Sequence, residues 1–133
     1  MENLKETKSF APKKYVLDVL VSGLPVTINS SGRQHWAIQA RNVRDQKEKV
    51  RASIGRFLPR VPLKKAKLTL WRLSASPIDP DNLANSFKST VDSLVECGVL
   101  EDDKMNNIGM PDYRWEKAER QKGYIRIRVE EVG

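Results

Sequence analysis

At 133 residues, 39% of them hydrophobic, the chain suits one domain with a modest core. Its 24 basic and 17 acidic residues leave a net charge of +7, which favours a polyanionic partner, nucleic acid or an anionic membrane. A single cysteine, Cys97, and a single histidine, His35, exclude an intramolecular disulfide, a cysteine-based zinc site and a histidine pair on a metal. Any metal would be held by carboxylates, which points to Mg²⁺ or Mn²⁺.

The elements follow in chain order. Residues 1–14 read as a polar tail without the apolar segment of a secretory signal, and residues 15–133 as one domain. No apolar run approaches the ~20 residues of a membrane span, so no membrane partner and a cytoplasmic location are expected. Tyr15 to Val21 reads as a buried strand, broken by Gly23-Leu24-Pro25. A helix is expected from near Arg33, with Ser31 and Gln34 at capping-box spacing. Its apolar stripe runs through Trp36, Ala40, Val43, Val50, Ile54 and Phe57, interrupted by Lys47, and Pro59 and Pro62 end it.

Positive charge concentrates here. From Arg33 to Lys67 there are eleven Lys or Arg against Asp45 and Glu48, a net of +9. A solvated helix face is the plain reading. A phosphate-binding surface is the sharper one, because the excess continues beyond the helix; Arg33, Arg41, Arg44, Lys47, Arg51, Lys64 and Lys65 are its candidate contacts.

Ala66 to Ser74 is a second strand, Pro77 to Pro80 a turn, and Asn82 to Cys97 a second helix closed by Gly98, with Cys97 a buried inert thiol. Pro111 to Ala118 reads as a third strand. Gly123 opens the fourth, where Ile125, Ile127 and Val129 alternate with Arg126, Arg128 and Glu130. Residues 119–123 would close an antiparallel hairpin between the last two. The order β-α-β-α-β-β predicts an α/β (α+β) fold, a mixed four-stranded sheet covered by two helices.

The chemistry-bearing segment is Asp79-Pro80-Asp81-Asn82, then Lys88 and Asp92, then Glu101-Asp102-Asp103. At 100° per residue, Asp81, Asn85, Lys88 and Asp92 share one helix face, opposite Leu83, Phe87 and Leu94. Gly98 reverses the chain, and Val99 and Leu100 could anchor the return of Asp102 and Asp103. Several carboxylates with a lysine in a basic protein suit hard-cation phosphodiester hydrolysis. The same residues are also good turn, cap and surface-pair residues, with Lys88–Asp92 at i,i+4.

At these residues the sequence resembles the RusA-like Holliday junction resolvases of bacteria and their phages. The resemblance rests on Asp79-Pro80-Asp81-Asn82, Lys88, Asp92, Gly98 and Asp102-Asp103, with Gly23-Leu24-Pro25 and Asn29 earlier in the chain. It implies a Mg²⁺-dependent homodimeric endonuclease that resolves four-way or other branched DNA by paired cuts. It also implies metal-binding and catalytic roles for Asp79, Asp81 and Asp103, a catalytic Lys88, and secondary positions at Asp102, Asp92 and Asn82. One departure stands out: the prototype's lysine follows the Asn by three residues, where this chain has Asn85. Lys88 lies three further on, about 4.5 Å along a regular helix. The alternative from another class is a non-catalytic basic nucleic-acid-binding protein whose acids only cap and turn.

Overall fold

The computed structural model describes residues 14–25, 36–119 and 123–132. Most of the expected polar tail, Asn29, Arg33, His35 and the Ser31–Gln34 capping box lie outside them. The elements are β1 (Val16–Ser22), α1 (Trp36–Ile54), β2 (Ala66–Ser74), α2 (Pro80–Ser86), α3 (Lys88–Glu96), α4 (Met105–Ile108), β3 (Asp112–Lys117) and β4 (Tyr124–Glu131). No helix among the described residues is long and apolar enough to cross a membrane.

The fold is α+β with a four-stranded mixed sheet in the order β1-β4-β2-β3. β4 runs antiparallel to both β1 and β2, whereas β2 and β3 are parallel. The expected β3–β4 hairpin does not form. Residues between β2 and β3 build three helical segments, and a helix-bearing crossover joins parallel strands. β4 instead enters the middle of the sheet. There Ile125, Ile127 and Val129 are fully buried, and both of its edges find a partner.

Period-two alternation divides the sheet into two faces. Leu17, Val21, Leu68, Leu70, Ile125, Ile127 and Val129 share one core with Val50 and Ile54 of α1, Leu83 of α2 and Val91 and Leu94 of α3. Asp18, Thr69, Trp71, Arg114, Arg126 and Arg128 belong to the opposite face. Its charges are cross-paired: Asp18 accepts from Arg126 Nε (2.8 Å) and from Arg128 (2.9 Å), and the Arg126 guanidinium lies 4.4 Å from the centre of the Trp71 ring.

The expected stripe of α1 needs correction at its ends. Val50 and Ile54 are buried, but Ala40 is exposed and Phe57 lies beyond the helix, 62% exposed. Gly55 adopts φ +54°, which terminates the helix two residues before Phe57 is reached. Gln46 is buried where the apolar pattern had a gap.

The second expected helix, 82–97, is two helices that meet at Phe87 (φ −94°, ψ 4°). The cause is local. Ser86 Oγ donates to the Leu83 carbonyl at 2.8 Å, the acceptor that the Phe87 N–H would take in a continuous helix. Phe87 N–H bonds to Ala84 O instead, at 3.1 Å. The Phe87 side chain is fully buried and stacks on Tyr113 of β3, with ring centroids 5.9 Å apart. α4 was not expected; four residues are too short for a periodic signal, and Asn107 secures it by donating to Lys64 O.

Candidate active site

The acidic motif divides at the Phe87 break. Asp79 is the N-cap of α2 in extended conformation (φ −64°, ψ 147°), and Pro80 follows in the first turn. Its main-chain carbonyl receives Leu83 N–H at 2.8 Å, yet its side chain makes no capping bond. Asp81 occupies the same first turn. Both residues are exposed, and neither carboxylate has a hydrogen-bond or ion-pair partner among the described residues. The cap-and-turn reading therefore leaves both carboxylates unused.

The second half of the motif gathers around Lys88, the first residue of α3. Its Nζ lies 2.9 Å from Asp92 Oδ1 and 3.9 Å from Asp103 Oδ2. The Lys88–Asp92 surface pair anticipated from i,i+4 spacing thus forms. The hydrogen bond that Lys88 donates to Asp92, reinforced by the charges of Asp92 and Asp103, raises the Lys88 pKa above its ordinary value. Lys88 is consequently a fixed ammonium at neutral pH. Its chemistry is to hold negative charge or orient an oxygen, not to remove a proton.

Asp103 reaches Lys88 because α3 ends in a Schellman motif. Gly98 (φ +96°) bonds to Val95 O, and Val99 N–H bonds to Leu94 O at 2.9 Å. Val99 and Leu100 then bury completely, and Leu63 exchanges main-chain bonds with Val99 and Glu101. The anchoring role expected of these two apolar residues is therefore filled. Asp102 accepts the Asp103 N–H at 2.7 Å and lies 3.8 Å from Lys104, so its carboxylate serves the turn. A small cleft joins Asn85, Lys88, Asp103 and Tyr113. Burial raises the Tyr113 pKa, with the Lys88 charge opposing it.

Asp79 and Asn82 line a different and larger groove, between the ends of β1, β2 and β4. Sequence reasoning passed over the groove's basic residue, Arg72. The only signal was an arginine inside an otherwise apolar strand, Leu68 to Leu73. The described residues bring no three His, Cys, Asp or Glu together as a group able to hold a metal. Asp79 and Asp81 stand at one end of the break, and Asp103 at Lys88.

The basic contacts sort by surroundings. Arg41, Arg44, Arg51, Lys64 and Lys65 are exposed and lack an ion-pair partner among the described residues. Lys47 differs: its ammonium is 2.7 Å from Glu96 and its carbonyl accepts from Ser93, so it ties α1 to α3. Cys97 is half-buried, and burial pushes its thiol pKa up, as befits an inert thiol.

No protein-family model matches the chain, and no curated protein matches it.

Proposed function

We propose that this protein is an endonuclease acting on branched DNA, the four-way junction above all. Asp79, Asp81, Lys88 and Asp103 would lie at its cutting end, and the basic stretch of α1 and residues 56–67 would hold the strands. The observation that carries this reading is the pair of idle carboxylates, Asp79 and Asp81. A protein of net charge +7 places them at a helix mouth where they cap nothing and pair with nothing among the described residues. The motif's lysine lies beyond the Phe87 break, paired with Asp92 and Asp103.

An all-oxygen donor set suits Mg²⁺, which takes one or two carboxylates and fills its remaining positions with water and phosphate oxygens. Asp79 and Asp81 are the residues that would hold it. Asp103, the third donor implied by the resemblance, is turned to Lys88. When bound, the ion would neutralise phosphate charge and make bound water more acidic. Lys88, fixed as an ammonium, stabilises the charge that develops on a phosphate oxygen. The exposed arginines of α1 neutralise neighbouring phosphates and set the position of the strands.

The scattered acids also favour a second reading, a nucleic-acid-binding protein without catalysis, since no three of them form one group among the described residues. One assay separates the two. Wild type and Asp81→Asn are incubated with a four-way junction or a matched linear duplex, with Mg²⁺ or with a chelator. The nuclease reading expects Mg²⁺-dependent cleavage of the junction by wild type. It expects Asp81→Asn to bind as tightly or more tightly while cutting at least 100-fold more slowly. Binding without cleavage by the wild type in Mg²⁺ and in Mn²⁺ would leave the second reading.

A further inference from the structure

We infer that Arg72 is the anchor for a phosphodiester of a DNA strand, held in the groove that begins at Asp79. This site is distinct from the basic surface of α1, and it rests on the nuclease reading for its biological setting only.

Arg72 sits on central strand β2, opposite Trp115 of β3 and Ile125 of β4. It continues the row of Leu68 and Leu70 on the helix-covered face of the sheet, where an apolar residue would pack at no electrostatic cost. Its Nε has no solvent-accessible surface and no hydrogen-bond partner. One terminal nitrogen donates to Pro25 O at 3.2 Å. No carboxylate forms an ion pair with it among the described residues. A half-buried guanidinium with one neutral partner is costly unless something else completes it. Burial accordingly draws its pKa below the ordinary value, and arginine stays charged all the same.

The groove beside it shows what would complete it. Its volume is about 1240 Å³; its polar lining includes Arg72, Ser74, Asn82 and Tyr124, together with the carboxylates of Asp79 and Glu119. That space exceeds what a single phosphate needs and suits a nucleotide unit. A guanidinium matches two phosphate oxygens with parallel donors, and hydroxyl and amide groups suit sugar and base edges. Ser74 Oγ already accepts from Trp115 Nε1 at 2.8 Å and donates to Ser76 O at 2.7 Å, so this wall is pre-organised. The groove shares Asp79 with the candidate cutting end, so a strand held at Arg72 passes beside that idle carboxylate.

The test combines two measurements on the full chain. The arginine Nε–H resonance of Arg72, assigned by its loss in Arg72→Lys, is followed by NMR on addition of inorganic phosphate or of a ten-residue oligothymidylate without terminal phosphates. Affinity for the same oligonucleotide is measured for wild type, Arg72→Lys and Arg72→Gln. The inference expects the resonance to move with the oligonucleotide, affinity to drop about tenfold or more in Arg72→Gln, and Arg72→Lys to recover only part of it. Movement with inorganic phosphate alone overturns the strand assignment, and no movement with either overturns the site. If Arg72→Gln does not fold, the wild-type resonance and Arg72→Lys decide the question. Cleavage of the four-way junction by wild type is scored in parallel. Cleavage with an unresponsive Arg72 removes this inference and leaves the nuclease reading standing; a responsive Arg72 without cleavage does the reverse.

Discussion

Asp18 shows how one carboxylate organises the sheet face opposite the helices. It takes both donors of Arg126 and one of Arg128, and the hydrogen bond from Arg126 is the main reason its pKa falls below 3.8, with burial opposing. A lowered folded value means that the stabilisation is complete above the unfolded value near 3.8. It is lost as pH falls through the lower folded value. Asp18→Asn should therefore melt at a lower temperature than wild type at pH 7. The difference should begin to shrink below pH 3.8 and disappear once the pH has fallen through the lower folded value. The side chain is partly solvated, so 0.5 M salt should shrink the neutral-pH difference. An equal difference at pH 2.5 and pH 7 would assign the effect to packing instead.

At the scale of elements, the turn after α3 decides where Asp103 goes. Gly98 holds φ +96°, and a Cβ placed there would meet nothing within 4 Å. The cost of Gly98→Ala is therefore conformational alone, about 1 kcal/mol. Calorimetry should show a fall in Tm of roughly 3–6 °C for a chain of this size. A fall of 15 °C would mean that Leu100 and its partners leave the core as well. Helix α1 supports a separate expectation. Arg41 and Arg44 are exposed on it, whereas Lys47 is engaged with Glu96. Arg41→Ala with Arg44→Ala should lower the slope of log affinity against log salt by up to about 1.8, at roughly 0.9 per phosphate contact on duplex arms. Lys47→Ala should leave that slope nearly unchanged and lower thermal stability. A reversed pattern would put the DNA surface on another part of the molecule.

At the scale of the molecule, a four-way junction has near two-fold symmetry, and two matched cuts separate it. A two-fold dimer supplies matched sites through one self-complementary interface. The short chain, with its limited core, also gains from burying a further face. The apolar face of β4 cannot serve as that interface, because Ile125, Ile127 and Val129 are buried in the protein's own core. We expect light scattering at micromolar concentration to report about twice the chain mass of 15.2 kDa. Mixing wild type with excess Asp81→Asn should yield complexes that nick one strand of the junction and seldom complete the second cut. A monomeric mass together with full resolution would exclude this arrangement.

The sequence by itself determined most of the local structure. β2 falls where expected, from Ala66 to Ser74, because its β-branched and apolar residues are bounded by turn signals. The inward residues of β4 were legible from strict alternation, and the Schellman end of α3 from Gly98 followed by two apolar residues. Tertiary structure decided what proximity along the chain cannot encode. β4 pairs with β1 and β2 rather than with β3, because a strand buried on one face seeks two hydrogen-bonded neighbours wherever they lie in sequence. The helix breaks at Phe87 because a serine hydroxyl competes for one carbonyl and a ring must reach Tyr113, neither of which changes the hydrophobic period. Asp79 and Asp81 lie before that break and Lys88 after it, where the turn at Gly98 brings Asp103 to its side. Arg72 acquires its significance only from the groove beside it, since burial of a charge without a counter-charge is a property of surroundings and not of residue order.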